Sequence, residues 1–157
     1  MEDKLYFKVT NRDDVALEFR LMNGINVKTN QRSNELVYNN FSFTTHEHIH
    51  KFYHKGKYLR VIHLPTEDEN FIMIYDPQNC VYHANKIILG EKYSLTNPEI
   101  YKKFSLPYPT PDALVKLDNL DFIKYLIREK MISEWNLEDL LIESAKMWKY
   151  GVCTIFS

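Results

Sequence analysis

The alternation of apolar and polar residues in the first two thirds of the chain predicts several strands. KLYFKVT alternates with a period of two, and INVKTN follows Asn23-Gly24, a pair typical of hairpin turns. Further strands are predicted for KYLRVIHLP, for the apolar run NFIMIY, which we expect to be buried, and for KIILGEKYSL, with a bulge at Gly90. The polar segment 30–40 is predicted to be a loop, and DPQN a type I turn. The result is a mainly antiparallel sheet that begins with a hairpin or meander.

A single change to helical periodicity interrupts these strands, directly after the FSF segment. Thr45 suits an N-cap, and Ile49, Phe52 and Tyr53 recur at helical spacing. Gly56 stands where a left-handed residue commonly ends a helix. We therefore predict one short helix between strands, of about two and a half turns.

The last third of the chain has the pattern of a helical hairpin. Prolines in SLPYPTPDA separate it from the strands, because proline can continue neither a helix nor a central strand. Two amphipathic segments follow, with caps at Asp118 or Asn119 and at Asn136 and a stop at Gly151. Their apolar positions are Leu120, Ile123, Leu126, Ile127 and Met131 in the first segment, and Leu137, Leu140, Leu141, Ala145 and Trp148 in the second.

The predicted fold class is therefore α+β. We expect an α+β domain over residues 1–104, a proline-rich connector over 105–111 and a helical tail over 112–157. Neither amphipathic helix can bury its apolar stripe alone, so we expect the tail to pack on the first domain.

Composition narrows the classes of protein that this chain can represent. Of its 157 residues 45% are apolar, which is enough for a core, and 20 basic residues nearly balance 21 acidic ones. This balance argues against nucleic acid as a partner over the whole chain. No apolar run approaches the ~18 residues of a membrane span, and MEDKLYF lacks the apolar core of a signal peptide. We expect a soluble intracellular protein with no membrane contact, and free thiols at Cys80 and Cys153.

Candidate chemistry is concentrated in FTTHEHIHKFYHKGKYLRVIHLP, which holds five of the six histidines. On an α-helix His46, His50 and His54 would share one flank, and HEHIH matches the HExxH pattern, with Glu47 as the base. The pattern is short, and no third ligand is evident, although His63 and His83 could approach from a strand and a turn. We favour a solvated helix flank and keep a metal site as the alternative.

The same stretch is rich in lysine. Lys51, Lys55, Lys57 and Arg60 would make it strongly cationic below the imidazole pKa of about 6.5. An acidic partner or a pH response could follow, although a solvated basic face is the simpler interpretation. The chain has no phosphate-binding glycine loop and no nucleophile elbow, so neither a catalytic residue nor a cofactor is predicted.

Several segments together resemble the N-terminal region of ankyrin-repeat proteins of giant DNA viruses of the mimivirus type. They are LYFKVTNRDD, NGINV, FSFTT, KFYHKGKYLRVIHLP, ANKIILGEKYSL and PEIYKKF, which extend over about residues 4–104. In the tail, LDFIKYLIREKMI and LLIESAKMWKYG resemble helices of ankyrin repeats. The T-P-L-H signature is missing and no second full repeat follows, so the tail looks shortened and degenerate.

This resemblance implies an uncharacterised viral protein that acts without catalysis, by contact with a host or viral protein. The expected location is the cytoplasm of the infected cell or the virion, and the expected contact surface is the exposed side of the last two helices. Two enzyme alternatives remain open. One is a zinc enzyme centred on His46, Glu47 and His50, and the other is an ADP-ribosyltransferase-like remnant, suggested by the strand, helix, strand order around FSFTT. The sequence leaves the oligomeric state undetermined.

Overall fold

The computed structural model describes residues 4–13, 15–16, 19–27, 40–110 and 120–130, together with residues 113, 138, 142 and 145. The chain divides into two compact units, Met1–Ser94 and Leu95–Ser157. Strands and one 3-10 helix make up the described part of the first unit, and the second contains α-helices. This mixture of antiparallel sheets and short helices confirms the predicted α+β class.

The first unit contains two sheets and a short hairpin. Its described strands are β1 (Tyr6–Thr10), β2 (Val15–Ala16), β3 (Phe19–Arg20), β4 (Gly24–Val27), β5 (Phe41–Phe43), β6 (Tyr58–His63), β7 (Met73–Asp76), β8 (Val81–Ala84) and β9 (Lys86–Ser94). One sheet has the order β1-β6-β9-β4, the second has the order β5-β8-β7, and β2 pairs with β3. All these pairings are antiparallel.

An apolar cluster joins the strands of both sheets. Phe41, Phe43 and Ala84 from the second sheet are buried together with Ile62 and other residues of the first. Fully burying a large apolar side chain such as Phe43 or Ile62 stabilises the fold by about 1.5–3 kcal/mol, so the cluster holds the two sheets together. Its remaining members are Leu21, Ile87 and Leu89.

The strand predictions for β1, β6 and β9 are confirmed, and so is the bulge at Gly90. Pairing passes from Arg60–Lys92 to Ile62–Leu89, so that β9 has one more residue than β6 between these pairs. A Cβ atom at Gly90 would lie only 2.9 Å from the carbonyl oxygen of Val61. Glycine therefore permits the close approach of the two strands at the bulge.

The predicted hairpin at Asn23-Gly24 is wrong. β4 pairs with β9, at the other end of the unit's sequence, and the described hairpin is β2 with β3. The turn before β4 is instead closed by Asn26, whose side chain accepts a hydrogen bond from the Met22 N–H at 2.9 Å and donates one to the Met22 carbonyl at 2.7 Å. Gly24 has a φ of 84°, the left-handed region that glycine adopts without strain.

The second sheet differs from its prediction in two respects. The NFIMIY segment forms β7, but β7 is an edge strand whose residues are half-buried or, at Tyr75, exposed. β8 was not predicted, because His83 and its neighbours give VYHA no clear apolar alternation. The DPQN segment does form the turn between β7 and β8, with the Asp76 carboxylate accepting hydrogen bonds from the N–H groups of Gln78 and Asn79.

The helix between the strands is shorter and tighter than predicted. It is a 3-10 helix, Ile49–Lys55, preceded by a turn, so Thr45 is not its cap and His48 occupies that position without a side-chain hydrogen bond. A short segment rich in His, Phe and Tyr has little intrinsic α-helix propensity, and Ile49 and Tyr53 are its buried contacts with the unit.

The predicted left-handed conformation of Gly56 is also wrong. Its φ of 172° and ψ of −178° are those of extended backbone. A Cβ atom at this position would lie 2.1 Å from the carbonyl oxygen of Thr10. Glycine is therefore required because the end of β1 passes very close, and not because the backbone turns into the left-handed region.

The second unit begins with an α-helix that was not predicted, α1 (Glu99–Lys103). Ile100 and Tyr101 are buried, and the Tyr101 hydroxyl donates a hydrogen bond to the Leu95 carbonyl at 2.7 Å. Burial raises the pKa of Tyr101. Residues 106–110 then form neither helix nor strand, as the prolines predict.

The first helix of the tail is confirmed as α2 (Leu120–Arg128). Ile123 and Leu126 are buried as predicted, but Ile127 is 42% exposed, and Phe122, which was not assigned to the apolar side, is buried against the Tyr101 ring at a centroid distance of 5.3 Å. Residues 138, 142 and 145 are helical. Ala145, predicted on the apolar side, is exposed.

The remaining predictions for the tail and for the loop fall largely outside the described residues. This applies to the loop 30–39, the caps Asp118, Asn119 and Asn136, the stop at Gly151, Cys153, and the apolar positions Met131, Leu137, Leu140, Leu141 and Trp148. The packing of the tail on the first unit stays a prediction. No described helix has the length and apolar character needed to cross a membrane.

Candidate docking site

The segment that carries the histidines lies between two recesses of the first unit. Thr45, His46, Glu47 and His48 line one, and Ile49, Phe52 and Lys55 line the other. Because residues 46–48 form a turn and the helix begins at Ile49, the segment does not have the α-helical geometry that the HExxH interpretation requires.

The four candidate ligands are therefore divided between two surfaces. His46 and Glu47 line the first recess, whereas His50 and His54 are exposed on the 3-10 helix. His83, expected in a turn, lies in β8 instead, with its Nε2 atom 4.0 Å from the Asp76 carboxylate, and burial lowers its pKa. Within the described residues no three His, Cys, Asp or Glu side chains converge as metal ligands would.

The first recess is an open aromatic cleft of about 530 Å³. Lys4 lines this cleft, and its ammonium group is already bound by the protein, because it donates a hydrogen bond to the Tyr82 hydroxyl at 3.1 Å. The Lys4 ammonium also lies 5.6 Å and 5.3 Å from the ring centroids of Tyr6 and Tyr82. The hydrogen bond to Tyr82 raises the pKa of Lys4. Tyr75, 47% exposed, forms the outer wall.

The second recess, here called the basic recess, arises where β1 and β5 separate. Phe7 and Thr44 exchange backbone hydrogen bonds of 2.8 and 2.9 Å across an isolated bridge. Antiparallel register would next place Val9 opposite Ser42. At that point the Lys8 side chain donates a hydrogen bond to the Ser42 carbonyl at 2.7 Å. Among the described residues, β1 and β5 do not pair beyond the Phe7–Thr44 bridge. The residues that matter for its chemistry are Lys8, Val9, Ser42, Thr44, Phe52 and Lys55.

Lys8 is the chemically unusual residue of the basic recess. Its ammonium group contacts the Ser42 carbonyl oxygen and, at 3.3 Å, the Ser42 hydroxyl. Burial, and to a smaller extent the positive charge of Lys55, lower the pKa of Lys8 to about 8. Neither Lys8 nor Lys55 forms an ion pair with a carboxylate in the described part of the chain. Among the described residues, the recess therefore presents two cations without a counter-ion.

The outer side of the 3-10 helix extends this positive charge. We call it the basic face, and it consists of the exposed residues His50, Lys51, His54 and Lys55 of the helix and Lys57, which follows it. Lys51 contacts the Cys80 sulfur at 3.2 Å, and Lys55 lies 5.5 Å from the ring centroid of Phe52. No ion pair engages these lysines within the described ranges. Basic residues in the last turn are also favourable for the helix, because they face its negative end.

The sequence predicted most of the basic face but not the basic recess. Its inclusion of Arg60 in the exposed cationic stretch is wrong, because Arg60 is 4% exposed and donates a hydrogen bond to the Asn23 side-chain carbonyl. The lysines and histidines of residues 50–57 are visible in the sequence as a cluster of charge. Lys8, by contrast, looks like an ordinary polar position of an alternating strand, and Ser42 is 34 residues away. Only the arrangement of β1 against β5 brings them together, and no local pattern encodes that arrangement.

Comparison with known proteins assigns the chain to a family. It is 32% identical over 106 residues to "Uncharacterized protein R869" of Acanthamoeba polyphaga mimivirus, a match that covers 65% of this chain and 76% of that protein. Because the match spans most of the relative, the chain belongs to this mimivirus-type family. No family model matches the chain, and neither does any solved structure.

Other relatives bear ankyrin-repeat names. The chain is 35% identical over 106 residues to "Putative ankyrin repeat protein R868" of the same virus, and this match covers 65% of this chain and 53% of that protein. It is 30% identical over 113 residues to "Putative ankyrin repeat protein R229", and this match covers 64% of this chain and 37% of that protein. The chain thus spans about half the length of R868 and a smaller share of R229.

Proposed function

We propose that this chain is a non-enzymatic protein-interaction module of a large DNA virus, and that its basic face docks an acidic segment of a host or viral protein. The observation that carries the proposal is the exposed row of five basic side chains, His50 to Lys57, with no described carboxylate paired to its lysines. Charge complementarity of this kind speeds association and selects the partner. The ankyrin-repeat names of relatives are consistent with a role in protein contact.

The proposed partner is a protein and not a nucleic acid. The whole chain has a net charge of −1, so a long polyanion would meet repulsion outside the basic face. A short acidic protein segment needs only the face itself. The proposed location is the cytoplasm of the infected host cell or the virion, where the chain would bind a host or viral protein.

The exposed sides of the last two helices remain a second proposed contact surface. Ile127 and Ile142 are 42% and 50% exposed there. Isolated exposed apolar residues are common on protein surfaces, so they support docking less strongly than the basic face does. No specific observation favours the zinc enzyme or the ADP-ribosyltransferase-like alternative.

The proposal is tested by binding of a fluorescein-labelled octaglutamate peptide to the intact chain, followed by fluorescence anisotropy. The variant Lys51→Gln/Lys55→Gln/Lys57→Gln should bind about tenfold more weakly, since each exposed charge contributes about 0.5 kcal/mol. An octaglutamine peptide should not bind.

The matched control removes the same charge elsewhere. Lys103, Lys124 and Lys130 are exposed lysines of the second unit, and their triple change to Gln should leave the affinity within about twofold. Equal losses in the two triple variants would mean that octaglutamate senses only the total charge, and the proposed docking face would be wrong.

A further inference from the structure

We propose that the basic recess is the anchor point of the docking site, where one carboxylate group of the acidic partner binds between Lys8 and Lys55. This inference rests on the proposed function, because it names the group that the partner inserts.

The size of the basic recess limits its occupant to a small group. The recess has a volume of about 20 Å³. A water molecule needs about 10–15 Å³ on the same scale, so one or two oxygen atoms fit and a ring or a base does not. A planar carboxylate can present one oxygen to the recess and leave its second oxygen at the mouth, whereas a tetrahedral phosphate is bulkier.

The available hydrogen-bond donors also suit a carboxylate. An ammonium group has three donors, and the Ser42 carbonyl and hydroxyl can take up two of those of Lys8. The Thr44 hydroxyl already donates to the Cys80 carbonyl at 2.6 Å, so it adds little. Lys55, which is exposed, lines the same recess and brings a second ammonium group. One charge-assisted hydrogen bond from each lysine would satisfy the two oxygens of a carboxylate.

The energetics point in the same direction. A cation removed from water without a counter-ion is unfavourable, and a second cation nearby adds repulsion. The lowered pKa of Lys8 reflects both effects. A carboxylate bound at this point would relieve them together, so its binding is favoured more here than beside a fully solvated lysine.

The test follows the Lys8 side chain by NMR in protein labelled with ¹³C-lysine. The groups that act electrostatically on Lys8 or on its neighbour His83 are Lys55 from the 3-10 helix and Asp76 from β7. Saturating acetate should raise the pKa of Lys8 by about one unit, because an opposite charge at short range favours the ammonium form. Chloride at equal ionic strength should not.

The variant Lys55→Gln removes the second cation of the proposed site, and because Lys55 is exposed its loss should not impair folding. Without added anion the pKa of Lys8 should rise in this variant, since a repelling charge is gone, and the response to acetate should weaken at least threefold. An unchanged response to acetate in the variant would overturn the proposed site. So would a Lys8 resonance that acetate does not affect beyond chloride, or one that methyl phosphate affects more strongly than acetate does.

The same samples separate this inference from the proposed function. If octaglutamate binds the chain while the Lys8 resonance stays unchanged, the basic face docks the peptide and the anchor in the recess is wrong. If acetate shifts Lys8 but octaglutamate does not bind, the recess takes a carboxylate and the proposed docking function is wrong.

Discussion

Lys8 is the residue at which the proposed binding role and the stability of the fold oppose each other. Its strand, β1, places it beside Ser42 and near Lys55, where its ammonium group is poorly hydrated. Groups with perturbed pKa values recur at functional sites because binding and catalysis need charges that a stable fold alone would avoid. Nothing in the KLYFKVT pattern distinguishes this lysine from a solvated one, since the neighbours that dehydrate it come from distant parts of the chain.

The titration of Lys8 predicts a measurable dependence of stability on pH. In the unfolded chain lysine titrates at about 10.4, and in the folded protein Lys8 titrates at about 8. Between these values the unfolded state binds the additional proton, so the free energy of unfolding rises with pH. The full penalty is present below pH 8 and disappears above the unfolded pKa.

We therefore expect the free energy of unfolding of the protein to rise relative to that of its Lys8→Met variant as the pH increases from neutral to alkaline. Urea unfolding of both at several pH values measures it, and the titrations of all other groups cancel in the difference. Lys57→Met, at an exposed lysine, should show no such change. A difference for Lys8→Met that stays constant with pH would show that the ammonium of Lys8 is fully hydrated.

At the scale of elements, periodicity predicted the 3-10 helix and α2 as helical segments, but it missed α1, the type of the first helix and the buried side of α2. The segment after FSF has helical spacing, yet it forms a 3-10 helix that starts at Ile49, because it is short and its residues favour the α-helix weakly. In α2 the sequence predicted helix, and the structure agrees. The apolar stripe, however, is centred one position earlier than expected, with Phe122 inside and Ile127 at the edge. When apolar residues occur on several sides of a helix, the pattern does not determine how the helix is rotated about its axis and therefore which side is buried.

Substitutions in α2 test this rotation. Phe122 is 1% exposed and Ile127 is 42% exposed. Phe122→Ala should lower the free energy of unfolding by about 3–5 kcal/mol, because it leaves a cavity against Tyr101. Ile127→Ala should lower it by less than about 1 kcal/mol. Chemical denaturation followed by circular dichroism measures both, and a larger loss for Ile127→Ala would favour the orientation that the sequence suggested.

At the scale of the whole molecule, the sequence predicted the α+β class and a family of the mimivirus type, which agree with the structure and the relatives. The ankyrin-like character of the tail stays a prediction. Alternating strands, a proline-rich break and helical periodicity suffice for an α+β prediction, because they depend on local patterns. The pairing of β4 with β9 and the separation of β1 from β5 depend on contacts between distant segments. The basic recess is lined by residues of β1, β5, β8 and the 3-10 helix, which are distant in the sequence, so the candidate site could be predicted only as a cluster of charge.

A net charge of −1 conceals a concentration of positive charge on the described part of the first unit. The basic face and the basic recess concentrate positive charge on one part of the first unit, while acidic residues elsewhere balance it. A molecule of this kind should distinguish a short acidic protein segment from an extended polyanion, since only the short segment avoids the negative remainder of the surface.

The central claim is tested most directly by one competition measurement on the intact chain. Fluorescein-labelled octaglutamate is bound to the protein, and unlabelled octaglutamate or a thymidylate oligomer of equal charge is added, at low salt and at about 0.15 M salt. The account predicts that octaglutamate displaces the probe at a lower concentration than the oligonucleotide, and that added salt weakens its binding about tenfold. Displacement by the oligonucleotide at the lower concentration, or no binding of octaglutamate at low salt, would contradict it.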